Sequence, residues 1–148
     1  MPAMPLAPNT RRSRLEELRV RDLMAENPVS IRHGITVREA AAFLAERGIG
    51  AAPVVNDAGR AVGVLSRSDV LLAVNAGVEG APVREVMSPA VIAVHPDAHA
   101  GQAYEVLLRC AVRRVFVTDE EGVPVGVFSV TDLFRGLTSL WGEAPAAA

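Results

Sequence analysis

The chain has 148 residues, of which 50% are hydrophobic and 4% aromatic, and its formal net charge is −2. This length fits one ordinary domain or two very small ones. Without a basic stripe or an aromatic surface, nucleic-acid binding has little support, and no apolar run approaches the roughly 18–20 residues of a membrane span. We therefore expect neither a nucleic acid nor a membrane among the partners.

Residues 1–13 combine proline and alanine with Arg11 and Arg12, and no apolar segment follows them. This pattern predicts a flexible N-terminus rather than a secretory signal. The segment from Arg14 to Met24 then predicts a lead-in helix. Cys110 is the single cysteine of the chain, which excludes an internal disulfide framework and favours a reducing, cytoplasmic location.

The sequence from Val20 to Leu72 recurs without a gap from Val83 to Arg135, 63 positions later (83 − 20 = 63). A lone unit of about fifty residues would bury only about 60% of its unfolded surface and would be marginal. Because an internal repeat determines the whole fold, we expect the two units to pack together as one module. The matching segments are Val20–Met24 with Val83–Met87 and Gly63–Asp69 with Gly126–Asp132.

The first repeat predicts the order β-α-β-β-α. Thr36 opens its first helix, because Thr36 and Glu39 have capping-box spacing, and Gly48 ends that helix. The second helix starts within Ser66–Asp69 and stops near Gly77. The three strands are short apolar runs bounded by turn residues: Val29–Arg32, Ala52–Val55 and Ala61–Leu65.

The second repeat runs in step, with a helical stripe from Ala100 to Leu107 and a last helix opened by Thr131 or Asp132. The predicted fold class is therefore α/β in the mixed α+β sense, with two β-α-β-β-α repeats packed about a pseudo-two-fold axis. The predicted domains are a repeat with its lead-in helix at 14–77, a linker at 78–82, a repeat at 83–141 and a C-terminal tail at 142–148. The predicted strands of the second repeat are Val91–Val94, Val115–Thr118 and Val123–Phe128.

The first helix of each repeat carries apolar residues outside its main stripe, among them Phe43 and Leu108. A helix that is apolar nearly all round needs burial on two sides. The sheet provides one side, and the partner repeat or a second chain provides the other. Since exposed apolar faces mark interfaces, we predict a homodimer.

Both repeats end on a shared pattern: a glycine in a strand, two apolar residues, and Ser-x-Ser/Thr-Asp at a strand-to-helix junction. Glycine lets another group approach the backbone closely, a helix N-terminus attracts phosphate, and an aspartate can accept hydrogen bonds from a ribose diol. The pattern therefore predicts a site for ribose and phosphate. The same spacing is that of a capping box, so the alternative is that these serines and aspartates only cap helices.

Taken together, these motifs resemble a pair of cystathionine-β-synthase (CBS) domains, the arrangement called a Bateman module. The resemblance runs from about Val20 to Leu137 and includes Ala52–Val55. As an ordered set present twice, the motifs are specific for the fold and much less specific for a ligand. The resemblance implies a stand-alone CBS pair whose two clefts bind adenosine-containing ligands such as AMP, ADP, ATP, S-adenosylmethionine or NAD.

By the same resemblance, the ligand-binding residues fall into two groups. A polar group would hold ribose and phosphate: Asp69 and Asp132 at the ribose, with Thr36, Ser66, Ser68, Ser129 and Thr131 at ribose or phosphate. An apolar group would wall the base: Val29, Ile31, Ala52 and Pro53 in one half, and Val91, Ala93, Val115 and Phe116 in the other.

The two halves differ where the resemblance places phosphate-binding basic residues. The second repeat has Arg113 and Arg114, whereas the counterparts in the first repeat are Gly50 and Ala51. Arg67 is a candidate substitute in the first repeat, and the alternative for the arginine pair is a solvated charged surface. We expect phosphate near Arg114, with Arg113 the weaker candidate, and one cleft weaker or empty.

Other chemistries find less support in the sequence. His95 and His99 have a spacing that suits a metal on a helix, but Pro96 interrupts it and no third ligand is evident, so we predict no metal site. No nucleophile–base or paired-carboxylate arrangement has a supporting context, so we predict that the chain is not an enzyme and requires no cofactor.

The leading hypothesis is therefore a regulatory module that senses an adenine nucleotide. Binding would change the packing of the two repeats, and an unidentified regulated protein would respond to that change. The alternative hypothesis is a dimerisation scaffold that binds no ligand and whose Ser and Asp motifs only cap helices.

Overall fold

The structure is a computed structural model and describes residues 15–26 and 29–142. The predicted flexible terminus at 1–13 and all but the first residue of the predicted tail lie outside the described residues. The first half of the chain forms helices α1 (Val20–Leu23), α2 (Val37–Arg47) and α3 (Arg67–Asn75) and strands β1 (Ala25–Glu26), β2 (Ile31–Arg32), β3 (Ala51–Val55) and β4 (Ala61–Ser66). The second half forms a 3-10 turn (Val83–Glu85), helices α4 (Ala100–Cys110) and α5 (Val130–Leu140), and strands β5 (Ala93–Val94), β6 (Arg114–Thr118) and β7 (Pro124–Ser129).

The described strands form two sheets. In the first sheet, β2 is parallel to β3 and β3 is antiparallel to β4. The second sheet has the order β1-β7-β6-β5, with β5 parallel to β6 and β6 antiparallel to β7. This mixed α+β architecture of two similar units confirms the predicted fold class. Strands β2 and β5 are shorter than predicted, because only two residues of each pair with the neighbouring strand.

The ends of α2 are those that the sequence predicts. The Thr36 hydroxyl accepts a hydrogen bond from the Glu39 N–H at 3.1 Å, and Gly48 ends the helix in the left-handed conformation with φ +64°. The predicted start of the last helix was wrong, because Ser129 is the N-cap of α5 and Asp132 is already in its first turn. None of the helices in residues 15–26 and 29–142 is long and apolar enough to cross a membrane.

The two repeats exchange their first segments. Val20 is buried in the core of the second repeat together with Phe128, whereas Val83 is buried in the core of the first repeat together with Leu65. Accordingly, β1 pairs with β7 of the second sheet. A sequence repeat is therefore not a packed unit, because each core takes its first segment from the other repeat.

This exchange also interrupts the predicted lead-in helix at 14–24: in its described part Leu15 and Glu16 are helical and so are the residues of α1, but the three residues between them are not. Arg19 has an extended backbone (φ −105°, ψ 153°) and forms an antiparallel bridge with His99 of the second repeat. Because this backbone pairs with the second repeat, the chain cannot remain helical through Arg19. Only the four residues of α1 form a helix after it.

The repeated strand glycines make room for the exchanged segments. A Cβ on Gly126 would lie 2.6 Å from the sulfur of Met24 and 2.8 Å from the carbonyl oxygen of the next residue. A Cβ on Gly63 would lie 2.5 Å from the sulfur of Met87 and 2.5 Å from the next carbonyl oxygen. Such distances exclude a side chain at either position. The close approach that these glycines allow is therefore that of another part of the chain.

Candidate functional site

A cleft of about 720 Å³ opens where three parts of the chain meet. The second repeat contributes β6, β7 and the N-terminus of α5, the first repeat contributes the start of β3, and the exchanged segment contributes β1. The lining residues are Ala25, Glu26 and Val29, then Ile49, Ala51 and Pro53, and from the second repeat Arg113, Arg114, Phe116, Val127 and Ser129–Asp132. A molecule in this cleft would contact both repeats at once.

Strand alternation decides which side chains of β6 reach the cleft, because successive side chains point to opposite faces of a sheet. Arg114 and Phe116 line the cleft, whereas Val115 is buried in the core of the second repeat. Across the ladder, Phe116 pairs with Val127 and Arg114 pairs with Ser129. The cleft therefore has an apolar row suited to a flat ring beside a cationic row suited to an anion.

The positive charge in this cleft comes from Arg113 and Arg114. Both are exposed, and neither makes a salt bridge with any other residue that the structure describes. A guanidinium group can form paired hydrogen bonds to a phosphate or carboxylate. The arginine pair is therefore available to an anionic ligand.

Ser129 and Asp132 form a capping box at the N-terminus of α5. Asp132 Oδ2 accepts hydrogen bonds from the Ser129 N–H at 2.8 Å and from the Ser129 hydroxyl at 2.9 Å. In return, Ser129 Oγ accepts a hydrogen bond from the Asp132 N–H at 3.2 Å. Ser66 and Asp69 make the same three bonds at the same distances at the start of α3, so both pairs cap their helices.

Capping leaves part of each aspartate unused. A carboxylate has about four lone-pair sites on its two oxygens, and the cap occupies Oδ2 only. The Oδ1 atom of Asp132 lies 4.0 Å from the Arg135 guanidinium and can still accept hydrogen bonds from a diol. The Ser129 hydroxyl, in contrast, gives its proton to Asp132. The phosphate-donor role predicted for Ser66 and Ser129 would therefore require the cap to open.

The start of α5 also keeps most of its backbone donors occupied. The Val130 N–H donates to the Arg113 carbonyl oxygen at 3.0 Å, and the Asp132 N–H is used by the cap. The Thr131 N–H makes no hydrogen bond to another described residue. One N–H group of the first turn is thus left for a ligand, in addition to the partial positive charge of the helix N-terminus.

The first repeat reaches a related arrangement from a different sequence. The Arg67 N–H donates to the Gly50 carbonyl oxygen at 2.9 Å, as the Val130 N–H does to Arg113. The guanidinium carbon of Arg67 lies 4.0 Å from where a Cβ on Gly50 would be. Arg67 therefore brings a guanidinium beside Gly50, where the second repeat has Arg113 itself.

The cleft brings together part of the predicted site, namely Val29, Pro53, Arg113, Arg114, Phe116, Ser129, Thr131 and Asp132. The other predicted residues do not line it. Four of them lie at the start of α3, namely Ser66, Arg67, Ser68 and Asp69. Thr36 caps α2. Val91 precedes β5, and Ala93 is its first residue. Ile31, Ala52 and Val115 are buried in the hydrophobic cores, so they cannot wall a base in this cleft. Pro53 borders the cleft, but its side chain is also fully buried.

Sequence reasoning missed several lining residues, namely Ala25, Glu26, Ile49, Ala51, Val127 and Val130. Alternation along β3 would have found Ala51, which lies two positions before Pro53, whereas Ile49 precedes the strand. Ala25 and Glu26 had no signal in the sequence, since their contact with the second repeat depends on the exchange of segments.

Away from the cleft, His95, Asp97 and Glu120 bring potential metal ligands within 4.8 Å of one another. His95 Nδ1 accepts a hydrogen bond from the Asp97 N–H at 3.0 Å, and Nε2 lies 2.9 Å from Glu120 Oε1. Because Nδ1 accepts, Nε2 carries the proton and donates it to Glu120. A backbone hydrogen bond and then the His95 ring hold the pKa of the Glu120 carboxyl below its usual value. Hydrogen bonding thus accounts for this cluster.

A family model for the CBS domain matches residues 20–76 and 83–139. The chain is 30% identical over 116 residues to the CBS domain-containing protein YhcV of Bacillus subtilis, which covers 77% of this chain and 81% of that protein. It is 31% identical over 121 residues to the A-adding tRNA nucleotidyltransferase of Aquifex aeolicus. That match covers 82% of this chain, which spans only 14% of the enzyme's length.

Solved structures of CBS pairs share the fold. CBSX2 of Arabidopsis thaliana, determined in complex with AMP, superposes with a TM-score of 0.72 at 24% identity and covers 84% of this chain and 98% of that chain. The CBS pair of protein MJ0100, in complex with 5′-methylthioadenosine and S-adenosyl-L-methionine, superposes with a TM-score of 0.67 at 25% identity. That match covers 84% of this chain and 99% of that chain.

Proposed function

The chain belongs to the CBS-domain family, and on that premise we propose that it is a regulatory module that binds an adenosine-containing ligand in its cleft. The observation that carries this proposal is the junction of Asp132 with the arginine pair in a cleft that also has an apolar row. The complexes of related CBS pairs with AMP, 5′-methylthioadenosine and S-adenosyl-L-methionine support an adenosine ligand.

In the proposed complex, each part of the ligand meets matching chemistry. Oδ1 of Asp132 accepts hydrogen bonds from the ribose diol, and Phe116 with Val127 walls the base. Arg114, supported by Arg113, holds a phosphate beside the Thr131 N–H. Hydrogen bonds to charged groups contribute about 1.5–3 kcal/mol each, so the aspartate and the arginine are the residues whose loss should weaken binding most.

The ligand would regulate by contacting three parts of the chain at once and changing how they pack. It would contact the first repeat at Ile49 and Ala51, the second repeat at α5, and the exchanged segment at Ala25. A ligand shifts a conformational equilibrium only by its difference in affinity between two arrangements. A bridging position provides such a difference, because closing the cleft changes all three contacts together. An unidentified regulated protein would then respond to the closed arrangement.

A thermal-shift panel with AMP, ADP, ATP, S-adenosylmethionine and NADH tests the proposal. At a concentration of 100 times its Kd, a ligand adds about 2.7 kcal/mol of stability. Asp132→Ala and Asp69→Ala form a matched pair, because each removes the carboxylate of one capping box and should cost a similar amount of stability, about 1 kcal/mol. We expect only Asp132→Ala to lose the ligand-induced shift. If no ligand raises the midpoint of the parent protein, the proposal fails.

The second candidate function is a dimerisation scaffold, and exposed apolar helices favour it. Leu71 on α3 is 68% exposed, and Phe134 at the equivalent position of α5 is 66% exposed. Trp141, just after α5, is 63% exposed. Large apolar residues on helices related by the repeat suit a two-fold interface with a second copy. We propose that the protein forms a homodimer through α3 and α5, whether or not it binds a ligand.

Sedimentation analysis of the parent and of Phe134→Glu tests the dimer. A charge in an apolar interface is costly to bury, so the variant should sediment as a monomer. Ser139→Glu, an exposed position on a different face of the same helix, provides the control and should leave the dimer intact. A parent protein that is monomeric at high concentration would exclude this interface.

We also propose that the module has no catalytic activity of its own and acts in the cytoplasm. The matched family is that of the CBS domain, and no catalytic family is indicated. The single cysteine, Cys110, is exposed, which suits a reducing compartment.

A further inference from the structure

A second cavity, a groove of about 490 Å³, lies beside α4 and shares no lining residue with the cleft. Leu15, Tyr104 and Leu108 give it apolar walls, and Glu16 and Glu105 place two carboxylates at its rim. Neither carboxylate forms a salt bridge with another residue within 15–26 and 29–142. The groove is therefore apolar inside and negatively charged at its edge.

The first repeat shows what an equivalent position accommodates. There the segment before the 3-10 turn docks on α2 as residues 15–18 dock on α4: the Val37 N–H donates to the Ala81 carbonyl oxygen at 3.0 Å, and the Ala100 N–H donates to the Leu18 carbonyl oxygen at 2.8 Å. These pairs are 63 positions apart (100 − 37 and 81 − 18). The two docking sites are thus equivalent in backbone and differ in side chains.

In the first repeat, an arginine occupies this position. Nη2 of Arg38 lies 3.7 Å from Oε1 of Glu79. The equivalents in the second repeat are Gly101 for Arg38 (101 − 38 = 63) and Glu16 for Glu79 (79 − 16 = 63). The second repeat therefore keeps the carboxylate and lacks the guanidinium, because Gly101 has no side chain to pair with Glu16.

We propose that this groove docks an arginine side chain presented by a partner polypeptide. Its guanidinium would pair with Glu16 and Glu105, and its face would lie against the Tyr104 ring, where a cation–π contact adds to the attraction. The exposed Leu108 would contact an apolar neighbour in the partner segment. Charge complementarity and the Arg38–Glu79 pair of the first repeat both point to this occupant.

A titration followed by NMR tests this docking on the full chain. The probe is acetyl-arginine amide, and the matched control is acetyl-citrulline amide, which has the same shape without the charge. We expect the arginine probe to shift the amide signals of Gly101, Gln102 and Leu108, and the citrulline probe to leave them unchanged. Equal responses to both probes, or no response to either at millimolar concentration, would overturn the proposal.

Variants locate the interaction. Glu16→Gln and Glu105→Gln should each weaken binding about two- to fivefold, since exposed ion pairs have modest energies. Glu46→Gln, on an exposed part of α2, should change nothing. Unchanged affinity in both groove variants would overturn the assignment.

Filling the groove provides the complementary test. Gly101→Arg would install the missing arginine and should block the probe. Gly101→Ala is the control for helix propensity, and its Cβ would meet Leu15 at an acceptable 3.4 Å, so this variant should still bind. If Gly101→Arg binds the probe as the parent does, the groove is not the site. Concentration-dependent shifts at the same amides without any probe would instead identify a second copy of the chain as the occupant and exclude the partner proposed here.

Discussion

Helices α2 and α4 occupy equivalent positions in the two repeats, but the ends of α2 have better caps than the ends of α4. In α2, Thr36 caps the N-terminus with its hydroxyl, and Gly48 ends the helix at φ +64°. In α4, His99 stands at the N-cap without a side-chain cap hydrogen bond, and its Nδ1 is buried without a partner among the described residues. Ala111 ends α4 at φ +54°, in the left-handed region that suits glycine.

The difference teaches that the duplicated fold tolerates unequal local stability. The helix with the poorer ends is the one that leads into Arg113 and Arg114, the basic pair of the cleft. Strained or unsatisfied positions persist where the surrounding structure holds them in place. The first repeat thus has the better-capped helix, whereas the second repeat has the arginine pair of the candidate site.

Substitution of the strand glycines should give the largest effects and tests whether the two repeats are equal in packing. Gly126→Ala and Gly63→Ala would each force a Cβ against a sulfur and a backbone oxygen closer than 3 Å. Overpacking of this kind costs about 1–3 kcal/mol, so both variants should unfold at lower denaturant concentration by a similar amount.

The two glycine variants should differ in ligand binding. The segment displaced by Gly126→Ala includes Ala25, which lines the cleft, whereas Gly63→Ala displaces the segment after Met87. We expect only Gly126→Ala to reduce the ligand-induced thermal shift beyond its loss of stability. Equal loss in both variants would show that the cleft does not depend on the exchanged segment of the first repeat.

The C-terminal ends of α2 and α4 should respond in opposite directions. Ala111→Gly removes a left-handed alanine and should stabilise the protein by about 1 kcal/mol, while Gly48→Ala introduces one and should cost about 1–2 kcal/mol. No other atom lies within 4 Å of a Cβ on Gly48, so the backbone conformation alone accounts for that loss. Chemical denaturation measures both changes, and a destabilised Ala111→Gly would contradict the interpretation.

Substituting the N-cap residue of α4 should have a smaller effect on stability. His99→Thr should gain about 1 kcal/mol, because threonine can accept the hydrogen bond that Thr36 accepts in the first repeat. The substitution also removes the unpartnered ring nitrogen. His99→Ala separates these two contributions, since it removes the nitrogen without adding a cap. If the alanine and threonine variants are equally stable, the cap contributes nothing.

Much of the fold could be predicted because the repeat fixes the order of its elements twice. The capping box at Thr36 and the end at Gly48 follow from local chemistry that any helix needs. The exchange of segments could not be predicted, because Val20 and Val83 are equally apolar and either core would bury either residue. Only the packed chain shows which core each one enters.

The candidate site was predictable to a similar degree. The resemblance placed Asp132 and Arg114 in one site, and both line the cleft. It also included Ile31, Ala52 and Val115, which alternation turns into the cores. A resemblance carries residue types along a strand, whereas the face that each residue occupies depends on register. Arg67 was predictable as the first repeat's substitute for Arg113, and its guanidinium does lie beside Gly50.

The smallest expected difference concerns the two hairpin turns, where each repeat pairs a histidine with a carboxylate. His95 lies 2.9 Å from Glu120, and His33 lies 3.5 Å from the equivalent Asp57 (120 − 57 = 63). The lowered pKa of Glu120 means that its charged form is favoured in the folded state. A carboxyl with a depressed pKa contributes stability above its unfolded pKa, near 4.5, and loses that contribution as pH falls toward the folded value.

Glu120→Gln should therefore be slightly less stable than the parent at pH 7, and the difference should vanish in acid. Denaturation of both proteins between pH 3 and 7 measures it, with Asp57→Asn as the control for the longer contact. A difference that does not change with pH would show that the Glu120 charge does not contribute.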